Sequence, residues 1–327
     1  MPTGSGVSVT WTTSQSQPSA PRRAGMSAAR KISPVSDRAP VRQSTTGRPP
    51  IVPGRRAVGA GVVEGVERRL GDDEAVPRGE RHGLVVSETP FHPLDHTWPD
   101  QPADRGTIGG LPVVDCLTGA RSETGEIFLG PDIPARRGAE GWDWLVVHVT
   151  ETPLPVGTEV GLDVDAGFRA ALCAGHTGCH LAALALNAAL ADRWRKEARP
   201  DSLGRPDFDQ AAITSSRITP HGSVDVYRLG KSLRKKGFSA EDLDPGKLAR
   251  QVNDQLAAWV AADAPVRVEV PGPELTARRT WHCSLPEGEA SIPCGGTHVS
   301  RTGELAGLVV ELSLDDATLT MRTGRAG

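Results

Sequence analysis

Residues 166–199 read AGFRAALCAGHTGCHLAALALNAALADRWRKEAR, an alanine- and leucine-rich run with Leu181, Leu184 and Ala188 on one face and a basic last turn. This pattern predicts a single long helix. Upstream of it the chain has a different character. HGLVVSE, LPVVDCL, GEIFLG, DWLVVHVTE and TEVGLDVD, between His82 and Asp165, are short β-branched runs separated by Gly, Pro and Asp. That is the signature of a small barrel or meander. Downstream, SAED resembles a capping box, and Asp244–Pro245 reads as an N-cap followed by Pro at the first helical position. The second helix carries an apolar stripe of Leu248, Val252, Leu256 and Trp259, and strands resume at VRVEV, GLVVELSL and ATLTMRT, the last two joined by a tight turn at Asp315–Asp316. The expected fold is α+β, with a small N-terminal β-barrel over residues 81–165 and a two-layer α/β sandwich domain over residues 166–327.

The chain's 327 residues are enough for two domains with their own cores. Residues 1–80 are rich in Ser, Pro, Arg and Gly without sustained apolar periodicity. Such a segment buries too little surface to offset its ordering entropy and is expected to be a disordered tail, or an upstream extension of the reading frame. Nine Lys and Arg against one acid give residues 1–60 a charge of +8, which leaves the remainder at −11. An acidic body argues against broad coating of a phosphate backbone and leaves room for a local basic patch. The best such patch is Lys231, Arg234, Lys235 and Lys236, either a solvated loop or a contact for RNA phosphates.

No apolar run reaches the roughly 18 residues that a membrane span needs, and the N-terminus has no apolar core of a secretory signal. The five cysteines (116, 173, 179, 283, 294) are odd in number and show no framework spacing, which points to a reducing cytoplasm.

His176 and His180 are spaced i and i+4 on the predicted helix, so both imidazoles project from one face. Far downstream, Cys294 and His298 bracket a Gly-Gly-Thr turn in IPCGGTHVSRTGEL. Three imidazoles and one thiolate suit Zn²⁺, whereas Mg²⁺ and Ca²⁺ want oxygen ligands. Cys179 projects from a different face and is expected to be buried beside the site, with Cys116 and Cys173 as core residues. His92 and His96 lie among prolines and read as loop. H-E-x-x-H, with its glutamate base, does not occur.

The helical H-x-x-x-H followed by a distant C-G-G-T-H-V and T-G-E resembles the editing domain of alanyl-tRNA synthetase and the freestanding AlaX-type trans-editing proteins. The threonyl-tRNA synthetase editing domain shares the arrangement. PDQPADRGTI is similar to the family's glycine-rich segment, although TWPD stands here where that family has three glycines. GTEVGLDVD and GSVDVYRLGKSL…VNDQLAAWV are similar to the strand entering the zinc helix and to the linking strand and second helix. The resemblance covers about three quarters of the chain.

This resemblance implies hydrolysis of serine or glycine mischarged onto tRNA for alanine, with no membrane and no obligate protein partner. It implies zinc on His176, His180, Cys294 and His298, and catalytic or pocket roles for Gln101 and Thr177. Four protein ligands also make a closed, structural site. A zinc hydrolase of a small amide or ester, and a non-catalytic zinc-stabilised module binding tRNA or protein, therefore stay open at this point.

Overall fold

The computed structural model describes residues 57–68 and 81–326, all of which lie in one compact unit, Lys31–Gly327. The first eight strands are β1 (Ala57–Arg68), β2 (His82–Val86), β3 (Gly106–Ile108), β4 (Leu111–Val113), β5 (Asp115–Ser122), β6 (Ile127–Leu129), β7 (Trp142–Thr150) and β8 (Glu159–Val164). They form one antiparallel sheet in the order β4-β3-β8-β1-β2-β7-β5-β6. β4 runs into β5 across the single residue Val114, whose N–H donates to the Val149 carbonyl of β7 at 2.8 Å. One bent strand thus serves one end of the order and the place next to the other end, and the sheet curls. Its interior is filled by Val63, Leu84, Ile108, Cys116 and Leu162, buried as alternating strand positions require, and by Phe91 from the loop after β2.

β1 corrects an expectation, because it falls inside the segment read as disordered. AVGAGVVEGVER pairs with β8 on one side and β2 on the other. The strand is stabilised by neighbours remote in sequence, which a local reading of a glycine-rich stretch does not reveal. The rest of that expected tail, 1–56 and 69–80, lies outside the described residues.

The long helix is α1 (Ala166–Ala189), started by Asp165, whose carboxylate accepts from the Phe168 N–H at 2.9 Å. It ends ten residues earlier than the sequence predicts, and no basic residue lies in its last turn. The chain beyond it instead pairs with residues 237–239: the Arg195 N–H donates to Gly237 O, and the Ser239 N–H to Arg193 O, both at 2.9 Å. Those backbone groups are therefore taken from any continued helix.

Next come α2 (Phe208–Ala212), β9 (Ile213–Thr219), β10 (Gly222–Arg228), α3 (Lys231–Lys235) and α4 (Pro245–Ala261), then β11 (Val266–Glu269), β12 (Thr280–Leu285), β13 (Gly288–Pro293), β14 (Leu308–Asp315) and β15 (Thr318–Arg325). α4 starts as expected, with the Asp244 carboxylate accepting from Lys247 N–H and Pro245 in the first turn. Its stripe of Leu248, Val252, Leu256 and Trp259 is buried. The β14–β15 turn falls one residue later than expected: Asp315 pairs with Thr318, leaving Asp316 at φ 48° and Ala317 as the loop.

Two further antiparallel sheets, β14-β15-β10-β9 and β11-β12-β13, complete the α+β fold. α1 and α4 pack on the four-stranded sheet over one core that includes Leu181, Tyr227, Leu256, Trp281 and Met321. Among the described residues no helix is long and apolar enough to cross a membrane.

Candidate metal centre

His176 and His180 stand one turn apart on α1, as their spacing predicts. The helix is pressed against the β9–β10 hairpin at Gly175, where a methyl group would lie 2.3 Å from Thr219 O and 2.5 Å from Gly222 O. Glycine there lets backbone meet backbone and sets the depth of the histidine face.

The second pair follows β13. The Cys294 N–H donates to Arg279 O at 3.0 Å, so the β12–β13 pairing extends as far as the cysteine itself. The turn then folds over His176: a methyl on Gly296 would lie 2.3 Å from the ring's Cε1.

These segments bring His176, His180, Cys294 and His298 together, with one ligand atom from each lying within 4.8 Å of all the others. Cys294 Sγ is 3.4 Å from Nε2 of both His176 and His298. The outer nitrogens of those two rings are held by polar partners. Gln101 Oε1 lies 2.6 Å from His176 Nδ1, and Thr177 Oγ1 lies 3.2 Å from His298 Nδ1. With a proton on each Nδ1, both Nε2 lone pairs face the shared centre, the arrangement typical of metal-ligating histidines.

Burial holds His176 and His298 well below the ordinary histidine range, with charge on the neighbouring rings adding to the effect, and brings His180 down to about 4. Burial pushes the Cys294 thiol up to about 12; the Gly296 N–H that donates to Sγ opposes this and Asp100 adds to it. His180 Nε2 is buried without a hydrogen-bond partner. Buried polar atoms are normally satisfied. Neutral imidazoles and a thiol converging on one point, one of them orphaned, fit a metal ion. The four residues can hold one.

Gln101 and Thr177 take different places. Gln101 is 2% exposed and ties the turn to the helix: besides His176, its Oε1 accepts from the Thr297 N–H at 3.1 Å, and its Nε2 donates to Thr297 Oγ1 at 3.0 Å. It also lines the cavity described below. Thr177 is fully buried and accepts from the Val299 N–H at 3.2 Å. It is not on the cavity wall, because the residue after His176 projects about 100° round the helix. Its contacts position the His298 ring.

Cys179 is buried outside the ligand group, with its Sγ 3.5 Å from Asp225 Oδ1. Cys116 and Cys173 are core residues. His92 and His96 lie in loop, His92 on the cavity wall. Lys231, Arg234 and Lys235 are exposed on α3, with Lys236 at its C-cap.

Sequence reasoning missed Asp100. Its Oδ2 is 3.9 Å from His176 Nε2, the nitrogen that faces the centre, and the side chain is 22% exposed. Burial raises its carboxyl above the usual range, against the Gln101 N–H that donates to it and with Asp95 adding to the shift. Its loop is anchored by the Ile218 N–H donating to Asp100 O at 2.8 Å and by Arg217 Nη1 donating to Pro99 O at 2.6 Å. No spacing rule flags a lone carboxylate in a proline-rich loop.

The group opens on a cavity of about 1360 Å³, with His176, His180, Cys294, Gln101 and Asp100 on its wall. Fold and site together define an α+β protein with a three-histidine, one-cysteine group that can hold a metal ion and opens on a large cavity.

No family model matches the chain. It is similar to the alanine–tRNA ligase of Rhodopseudomonas palustris (strain ATCC BAA-98 / CGA009), at 26% identity over 257 residues, which is 76% of this chain and 25% of that ligase. It is likewise similar to the alanine–tRNA ligases of Jannaschia sp. (strain CCS1), 26% identical over 75% of this chain and 27% of the ligase, and Ruegeria pomeroyi (strain ATCC 700808 / DSM 15171 / DSS-3), 27% identical over 72% and 24%. The resemblance read from the motifs thus holds along three quarters of the chain, and the chain spans about a quarter of the length of the curated relatives it matches.

Proposed function

We propose that the protein is a zinc-dependent deacylase that hydrolyses serine or glycine mischarged onto tRNA for alanine, acting in trans in the cytoplasm. In this reading the curled sheet is the small barrel of the editing domain, and the helices on the four-stranded sheet are its α/β sandwich. The observation that carries the proposal is the opening of the four-residue metal group onto the cavity, in a chain related to alanine–tRNA ligases. A structural ion has no need of such an opening.

Zinc bound there supplies a Lewis acid for the ester carbonyl and lowers the pKa of water. The chain's own residues do the rest. Gln101 and Thr177 fix the two rings in one tautomer and orientation. Asp100 faces the same point from the cavity side, where its carboxylate accepts hydrogen bonds from the α-ammonium group of the aminoacyl ester. Where the family has bare glycine, this chain thus offers a charged anchor for the amino acid. A site that hydrogen-bonds a hydroxyl gains from serine and is left unpaired by alanine, and glycine is admitted by size.

The test is a deacylation panel of seryl-, glycyl-, alanyl- and threonyl-tRNA with the wild type and His180→Ala. Zinc-dependent loss of seryl-tRNA, alone or with glycyl-tRNA, is expected. If fully metallated protein releases none of the four, the tRNA assignment fails and a zinc hydrolase of small amides or esters takes its place.

A further inference from the structure

Arg279 immediately precedes β12 and is joined through its carbonyl to Cys294, so it stands one backbone rung from a metal ligand. Its side chain lines the same cavity as His176, His180 and Cys294. Its Nε is buried and has no hydrogen-bond partner, and its guanidinium pairs with no carboxylate among the described residues.

A partly buried cation left in this state is costly, because the lost hydration is not replaced. The surroundings make matters worse: burial, and then the positive charge of Arg137, both work against the charged form of Arg279. Arg137 is itself settled, pairing with Asp95 and donating to Leu275 O at 2.7 Å. One guanidinium is therefore neutralised and the other is not, and both face the cavity. An arginine so placed is completed by an anion from outside.

We propose that Arg279, with Arg137 beside it, is a phosphate subsite in the cavity wall adjoining the metal group. The choice of phosphate over carboxylate rests on the deacylase reading. In an aminoacyl-RNA the amino acid's carboxyl is tied up in the ester, so the anions left are the phosphates of the terminal nucleotides. The planar fork of a guanidinium takes two phosphate oxygens at once. Held at Arg279, the nucleotide end of the substrate is fixed beside the metal ligands, and the ester is presented to them.

The test compares AMP with adenosine as ligands of the metallated full-length protein, measured by calorimetry. AMP is expected to bind at least about tenfold more tightly than adenosine, the scale of one hydrogen-bonded charge pair. Arg279→Met should erase that preference while leaving adenosine binding and zinc content unchanged. Arg279→Gln, which also drops the charge, repeats the measurement should Arg279→Met lose its metal. A preference that survives in these variants places the phosphate elsewhere, the ion included, and overturns the subsite. Equal binding of AMP and adenosine by the wild type overturns it too. Deacylation by Arg279→Met with unchanged KM would remove the subsite and leave the deacylase reading standing. An Arg279-dependent AMP preference in a protein that deacylates no tRNA would do the reverse.

Discussion

Arg169 and Asp104 form an ion pair whose two side chains are 2% and 0% exposed. Arg169 belongs to the first turns of α1, two turns before His176; Asp104 closes the loop that carries Asp100 and Gln101. Arg169 Nε donates to Asp104 Oδ1 at 2.5 Å, and its Nη2 also donates to Pro90 O at 2.8 Å. The His92 N–H donates to Asp104 Oδ2 at 2.5 Å. A single buried pair thus sets the distance between the cavity loop and the metal helix.

Arg169→Met leaves Asp104 as an uncompensated buried carboxylate and is expected to cost about 3–5 kcal/mol. The double variant Arg169→Met/Asp104→Leu should recover a large part of that loss. Urea unfolding of the three proteins measures it; equal stability of the single variant and the wild type would contradict a tight pair.

Purified protein should hold one zinc per chain, and Cys294→Ala or His180→Ala should retain little of it, because each leaves a three-ligand remnant. Metal analysis is the check. An undiminished content in Cys294→Ala would take the cysteine out of the ligand set.

Gln101→Ala and Thr177→Ala remove the partners of the outer ring nitrogens and should lower zinc affinity by about 10- to 100-fold. Chelator competition reads this directly. Thr177→Ser, which keeps the hydroxyl, should stay close to wild type.

Gly175→Ala sets two effects against each other. Alanine favours a helix interior by about 1 kcal/mol over glycine. Here its methyl meets backbone oxygens of a packed hairpin, and overpacking of that kind costs about 1–3 kcal/mol. The backbone cannot yield as a flexible side chain would, so net destabilisation is expected in thermal unfolding.

His148 supplies a pH dependence away from the metal. It is fully buried on β7, with Nδ1 3.1 Å from Leu84 O and Nε2 2.8 Å from Thr89 Oγ1. Burial lowers it from 6.5 to about 4, against the Leu84 bond. The unfolded chain therefore binds a proton first as pH falls. The stabilisation is complete above 6.5 and is lost progressively between 6.5 and 4, on the order of 3 kcal/mol in all. Comparing the acid limbs of wild type and His148→Gln isolates it: the variant's stability should vary less across that window.

The parts of this architecture that were legible in the sequence are those governed by local rules. The i, i+4 spacing placed His176 and His180 on one helical face, and Asp244 with Pro245 marked the start of α4. The pairing of the two halves of the group came from ligand chemistry, because His176 and His180 with Cys294 and His298 make a set that suits Zn²⁺; the resemblance agreed with it, and nothing local joins Cys294 to a helix so far upstream. β1 was hidden because its stability comes from β2 and β8 and five of its twelve residues are glycine or alanine. The end of α1 was hidden because residues 193–195 are claimed by residues 237–239. Asp100 and Arg279 acquire meaning only from what the fold sets opposite them.

Cys294 and His176 are separated by 118 positions in the chain. An ion that joins them acts as a reversible cross-link, closing a loop whose entropy in the unfolded chain would otherwise have to be overcome at each folding event. For a covalent link spanning about 100 residues the corresponding contribution is roughly 5 kcal/mol. The ion's binding energy and the protein's folding energy are then one quantity. With such an ion bound, the melting temperature would become a function of the free metal-ion concentration, and a chelator would act as a denaturant for this half of the molecule.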